Sequence, residues 1–125
     1  MSINKFKDSF GSIKDNRQEW KVKHNLIEIL FIAVIATITN ANTWLEIGAF
    51  AEAKKDWLKK YIILENGVPS HDTFQRVFEN IDSKAFNKAF VNWTNTINEH
   101  TEGRIVAIDG KTVRRSFDNE KTLSI

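Results

Sequence analysis

Between about Lys21 and Asn40 the chain offers almost no polar face: Leu26, Ile27, Ile29, Leu30, Phe31, Ile32, Val34, Ile35 and Ile38 cover every side of a helical wheel. A helix that is apolar all round must be enclosed by other elements or by lipid. Spanning a bilayer takes about 18 or more consecutive apolar residues. The run from Leu26 to Ile38 is shorter, carries Glu28, and sits beside Thr37, Thr39 and Asn40. A buried core helix is therefore expected, with no membrane partner, and the remaining residues must supply its walls.

Those walls are legible as further helices. Thr43 and Glu46 have the Thr-x-x-Glu spacing of a capping box, and Trp44, Ile47, Phe50, Ala51, Trp57, Leu58 and Tyr61 follow at helical spacing. This second helix is amphipathic and exposes Lys54, Lys55, Lys59 and Lys60. The stretch Glu65-Asn66-Gly67-Val68-Pro69 joins Asn-Gly to the only proline, which disfavours helical backbone in the residue before it. Ser70 is a suitable N-cap for a short helix carrying Phe74, Val77, Phe78 and Ile81. Asp82 and Ser83 offer a cap for another, with Phe86, Ala89, Phe90, Trp93 and Ile97 inward, and Gly103 ends the run. The chain is thus mainly α, a compact module of about four to five helices over residues 1–102. Four Trp and nine Phe make aromatic packing the expected main source of its stability.

From Arg104 the period changes. Ile105-Val106-Ala107-Ile108, bounded by Gly103 and Gly110, reads as a buried strand, and Thr112-Val113 and Thr122-Leu123 as further strands. Residues 103–125 are therefore expected to begin a β-containing domain that residues 1–125 do not complete.

Composition narrows the chemistry. With no cysteine there is no disulfide, no Cys-rich zinc site and no thiol nucleophile, which suits a reducing cytoplasm. His24, His71 and His100 lie far apart and show no compact ligand spacing. MSINKFKDSF lacks the apolar core of a secretory signal. The net charge of +2 is too small to argue nucleic-acid binding from bulk electrostatics. Its distribution is uneven, because Lys5, Lys7, Lys14, Arg17, Lys21 and Lys23 face only Asp8, Asp15 and Glu19 in the first segment. Such a segment is either a basic arm that follows a phosphate backbone or a solvated amphipathic terminus.

Two segments could carry function. Asp109 stands at the end of the Ile105–Ile108 run, next to Gly110, where a metal-dependent phosphoryl-transfer enzyme places one of several carboxylates around two Mg²⁺ or Mn²⁺ ions. Asp-Gly between apolar residues is equally the signal of a tight hairpin turn. Lys111, Arg114 and Arg115 fit DNA-phosphate contacts or a plain exposed basic strand. The second segment, Ser70 to Phe78, has polar residues in its first turn and apolar ones inward, as in a recognition helix whose Arg76 meets DNA. It also fits a capped core helix, since the loop before it exceeds the short turn of a helix-turn-helix.

Three pieces in order, KVKHNLIEILFIAVIATITNANTW at 21–44, NGVPSHDTFQRVF at 66–78 and IVAIDGKTVRRS at 105–116, resemble the amino-terminal half of the H-repeat-associated insertion-sequence transposases. That resemblance covers nearly all of the chain from about Asn16. It implies a helical transposase-associated domain leading into a DDE catalytic domain of ribonuclease-H-like α/β fold, Mg²⁺ as cofactor, and DNA at transposon ends as partner, with pairing to a second copy. Asp109 becomes the first acid of the DDE triad and a metal ligand, and Arg76, Lys111, Arg114 and Arg115 become DNA contacts. The second Asp and the Glu of the triad have no counterparts in residues 1–125, since Asp118 and Glu120 stand too close to Asp109. A truncated polypeptide that binds metal weakly and cuts no DNA is expected. The alternative is a stand-alone DNA-binding or subunit-pairing protein that competes with full-length transposase.

Overall fold

The computed structural model of the chain describes residues 3–15, 17 and 23–101, with side chains as far as residue 97. These residues form six helices: α1 (Ile3–Phe10), α2 (Leu26–Ile38), α3 (Trp44–Ala53), α4 (Lys55–Leu58), α5 (His71–Asn80) and α6 (Ser83–Thr101). No strand occurs among the described residues, and the strands expected from Ile105 onward lie outside them.

The central helix, α2, starts at Leu26 rather than near Lys21 because Asn25 caps it. Asn25 is extended, and its Oδ1 accepts hydrogen bonds from the Ile27 and Glu28 amides at 2.8 and 3.4 Å. Leu26 and every residue from Ile29 to Thr37 are buried, as an all-round apolar helix requires. Thr37 is accommodated because its hydroxyl donates to the Ala33 carbonyl at 2.8 Å, leaving no buried donor unmade. The helix closes on Asn40, at φ +83°. The Ala41 amide bonds the Ala36 carbonyl at 2.9 Å and the Asn40 amide the Thr37 carbonyl at 3.0 Å, the paired bonds of a Schellman motif.

Three later helices, α3, α5 and α6, open on the caps their sequences announced. Thr43 Oγ1 accepts from the Glu46 amide at 3.0 Å, but the Glu46 carboxylate takes the amide of Asn42, at 2.7 Å, instead of that of Thr43. Ser70 Oγ accepts from the Thr73 amide at 3.4 Å. At the start of α6 the cap is Asp82, whose Oδ1 accepts from Lys84 at 2.9 Å and Ala85 at 3.4 Å. Gly67, at φ +81°, turns the chain between α4 and α5.

The helix count exceeds the four to five expected, for two reasons. The helix read from Thr43 to Tyr61 is interrupted at Lys54 (φ −105°, ψ 17°), which makes α3 and a single-turn α4. The first segment is not a solvated terminus over its opening residues. Ile3, Phe6, Phe10 and Ile13 share one side of α1 and its exit, and Phe6 and Phe10 are fully buried.

Aromatic rings join the layers. Phe6 stacks on Phe10 with centroids 4.1 Å apart and meets Phe31 of α2 and Trp93 of α6 edge-on at 5.2 and 5.3 Å. Phe10 lies 5.6 Å from Phe86, Phe86 meets Phe78 of α5 edge-on at 5.3 Å, and Phe78 stacks on Trp44 of α3 at 5.6 Å. One unbroken line of rings thus crosses five of the six helices, and each such pair adds about 0.5–1.5 kcal/mol beyond its burial. Gly48 lets α3 and the start of α5 approach, because a Cβ there would sit 3.2 Å from both Cβ and the backbone nitrogen of His71.

Candidate nucleic-acid interface

The helix α5 presents two different sides. Phe74, Val77 and Phe78 point into the core, while Asp72, Arg76, Glu79 and Asn80 are exposed. Its outer side therefore carries two carboxylates to one guanidinium, and twelve residues (59–70) separate it from α4. Both features depart from a helix-turn-helix reader, whose turn spans about 3–4 residues. The segment Ser70–Phe78 is a capped core helix that leaves Arg76 at its rim.

Arg76 is the one predicted site residue among those described. Its Nε donates to the Asp72 carbonyl at 3.5 Å, and its own carbonyl accepts from Asn80 Nδ2 at 2.6 Å. Asp109, Lys111, Arg114 and Arg115 lie outside the described residues. What the fold brings to Arg76 is the segment that enters α2. A groove of about 680 Å³ runs between them, with Arg17, Lys23 and His24 on one wall, Ser70, Thr73 and Arg76 on the other, and Leu26 and Val77 in its floor. Asn66 Nδ2 donates to the Lys23 carbonyl at 2.7 Å and ties the loop before α5 to the entry of α2.

Charge within the groove is graded. Arg17 grips Asp15 through two bonds, Nε to Oδ1 at 2.9 Å and Nη2 to Oδ2 at 2.8 Å, which lowers the Asp15 pKa and neutralises much of the guanidinium. Burial lowers the pKa of His24, the positive charges of Lys23 and Arg17 lower it further, and Glu28 opposes them. At neutral pH His24 is therefore an uncharged imidazole. Of the cations that line the groove, Lys23 and Arg76 form no ion pair with a described carboxylate. With the hydroxyls of Ser70 and Thr73 they form a donor set suited to oxyanions such as DNA phosphates. No group of three His, Cys, Asp or Glu that could hold a metal ion occurs among the described residues. No described helix is long and apolar enough to cross a membrane.

A family model described as DDE_Tnp_1-associated matches residues 7–94, from within α1 to near the end of the described part of α6. The chain belongs to the DDE_Tnp_1-associated family. Among curated proteins it is similar to "Putative transposase YncI" of Escherichia coli K12, 49% identical over 121 residues that make up 97% of this chain and 49% of that protein. The "H repeat-associated putative transposase YhhI" of the same strain is 39% identical over 97% of this chain and 32% of its own length. "Inactive transposase YbfQ", also of that strain, is 42% identical over 77 residues, 62% of this chain and 92% of that protein. The chain spans about a third to a half of the length of the first relatives it matches, and it corresponds to the amino-terminal part of H-repeat-associated transposases. No solved structure matches it.

The groove itself was not visible in the linear sequence. Lys23 and Arg76 are 53 positions apart, and the bond that holds the Lys23 segment comes from Asn66, in a third stretch. The only local hint was the surplus of basic residues before α2.

Proposed function

We propose that this helical module engages DNA for a DDE-type transposase, taking duplex phosphates into the groove between Lys23 and Arg76. One observation carries the reading: a member of a transposase-associated family places two cations that lack close carboxylates, together with two hydroxyls, around one open groove. Phosphate contacts of this kind fix the position of a duplex without reading its sequence. Downstream, Asp109 serves as the first carboxylate of the DDE site, with Lys111, Arg114 and Arg115 against the DNA backbone. Asp109 would hold Mg²⁺ together with the other carboxylates of that site, and the metal would supply the Lewis acidity that phosphoryl transfer uses. Among residues 1–125 this reading assigns Asp109 alone to that set.

Fluorescence anisotropy on a labelled duplex tests the groove. Lys23→Gln with Arg76→Gln is expected to remove about two phosphate contacts and flatten the dependence of log affinity on log salt by about 1.8. An unchanged slope defeats this use of the groove. Magnesium-dependent nicking of plasmid by the 125-residue polypeptide, abolished by Asp109→Ala, defeats the assignment of the remaining carboxylates elsewhere.

The second reading, a stand-alone protein that pairs with full-length transposase or competes for its DNA, is favoured by one relative. "Inactive transposase YbfQ" is matched over nearly its whole length by part of this chain. Co-expression with a full-length relative separates the two readings: competition lowers transposition in proportion to the amount of this chain, whereas a module that works only within its own transposase leaves it unchanged.

A further inference from the structure

The break at Lys54 gathers Lys54, Lys55, Lys59 and Lys60 on one exposed turn, against the single carboxylate of Asp56 within that stretch. Lys54, Lys59 and Lys60 are exposed and Lys55 is half-buried. None takes part in the ion pairs found among the described residues, and the side chain of Lys54 caps neither helix it joins. Beneath them the turn is fixed. Leu58 is fully buried, Trp57 packs on Tyr61 with centroids 5.0 Å apart, and the Ile63 amide donates to Glu28 Oε2 on α2 at 3.3 Å. Four flexible ammonium groups therefore stand on a rigid base.

We propose that this lysine turn is a second phosphate-tracking surface, separate from the Arg76 groove, for the backbone of duplex DNA. Helical rise gives Lys54 to Lys60 a length of about 9 Å. Measured along the axis of a duplex, that is close to three steps of about 3.4 Å, so the four flexible lysines can reach phosphates over about three base pairs without need of a base contact. An anionic membrane fits less well, because a surface-bound basic helix also needs an apolar side to insert. Here Leu58, Ile62 and Leu64 are committed to the core, and Ile63 is the exposed exception. The proposal rests on the DNA-engaging reading for its partner but not on the groove for its contacts.

Fluorescence anisotropy of the 125-residue chain on a labelled duplex, at about 50 to 200 mM NaCl, decides it. Replacing all four lysines by Gln, which has similar helix propensity, is expected to keep the melting temperature and to flatten the log–log salt slope by about 3.6. The affinity ratio of wild type to variant then shrinks by about 150-fold across that salt range. An unchanged slope in the lysine variant overturns the proposal. If Lys23→Gln with Arg76→Gln nevertheless flattens its own slope, the groove survives without the lysine turn. Wild type that fails to bind at the lowest salt overturns both. Binding to phosphatidylserine vesicles that the lysine variant loses, with DNA binding intact, overturns this proposal in favour of lipid.

Discussion

Replacing Phe10 by Ala tests whether α1 is part of the fold. Phe10 has no exposed surface and touches three rings on two helices, those of Phe6, Phe86 and Trp93, at centroid distances of 4.1, 5.6 and 6.3 Å. Truncating a buried Phe costs about 3–5 kcal/mol, and the neighbouring rings cannot close the gap without losing their own geometry, so about 4 kcal/mol is expected. For roughly 100 ordered residues the unfolding entropy near the transition is about 0.2 kcal/mol/K. The melting temperature of Phe10→Ala should then fall by about 20 °C, read by circular dichroism or calorimetry. Lys7→Ala, an exposed site on the same helix, should change stability by no more than about 0.5 kcal/mol. An isolated eight-residue helix is not stable in water, so α1 has only this docking to hold it. If Phe10→Ala melts within about 3 °C of wild type, α1 is not docked in solution and the line of rings does not extend to it.

The remaining expectations concern backbone and pH. Asn40→Val forces a β-branched residue to φ +83° and should cost about 1–2 kcal/mol in urea unfolding, while Asn40→Gly should be neutral or slightly stabilising. A loss in both variants alike would point to the side chain of Asn40 rather than its backbone. His24 has its pKa lowered by burial, so the unfolded chain binds more protons than the folded one below an ordinary imidazole value of about 6.5. Stability is therefore complete above that pH and falls as acid approaches the folded-state pKa. His24→Gln should remove that part of the pH dependence, and an identical profile for the variant would exclude His24 as its source.

Much of the fold could be read residue by residue, because the signals were local. An apolar run without a polar stripe placed α2 at the centre, and Thr43, Ser70 and the Asp82-Ser83 pair marked three helix starts, with Asp82 winning the last because its carboxylate reaches two amides. Two features resisted. The break at Lys54 has neither glycine nor proline to announce it. In α1, the helical spacing of Ile3, Phe6, Phe10 and Ile13 was present but overshadowed by the lysines between them, so the segment looked like a solvated arm. Of the candidate site, Arg76 could be proposed from sequence because it lies in the short helix that follows a conspicuous cap. Its neighbours Lys23 and His24 needed the tertiary fold. Asp109, Lys111, Arg114 and Arg115 lie outside the described residues, and their roles rest on the proposal above.

The unbroken burial of α2 has a consequence for biosynthesis. Its aliphatic surface leaves the ribosome well before Phe78, Phe86 and Trp93 emerge behind it, and at about 5–20 residues per second the wait for Trp93 lasts several seconds. During that interval α1 can shield only the strip around Phe31, so the nascent polypeptide is at its most adhesive just after Ile38 emerges. Growth conditions that slow elongation between the codons for Ile38 and Trp93 should therefore lower the soluble yield without altering a single contact of the finished molecule.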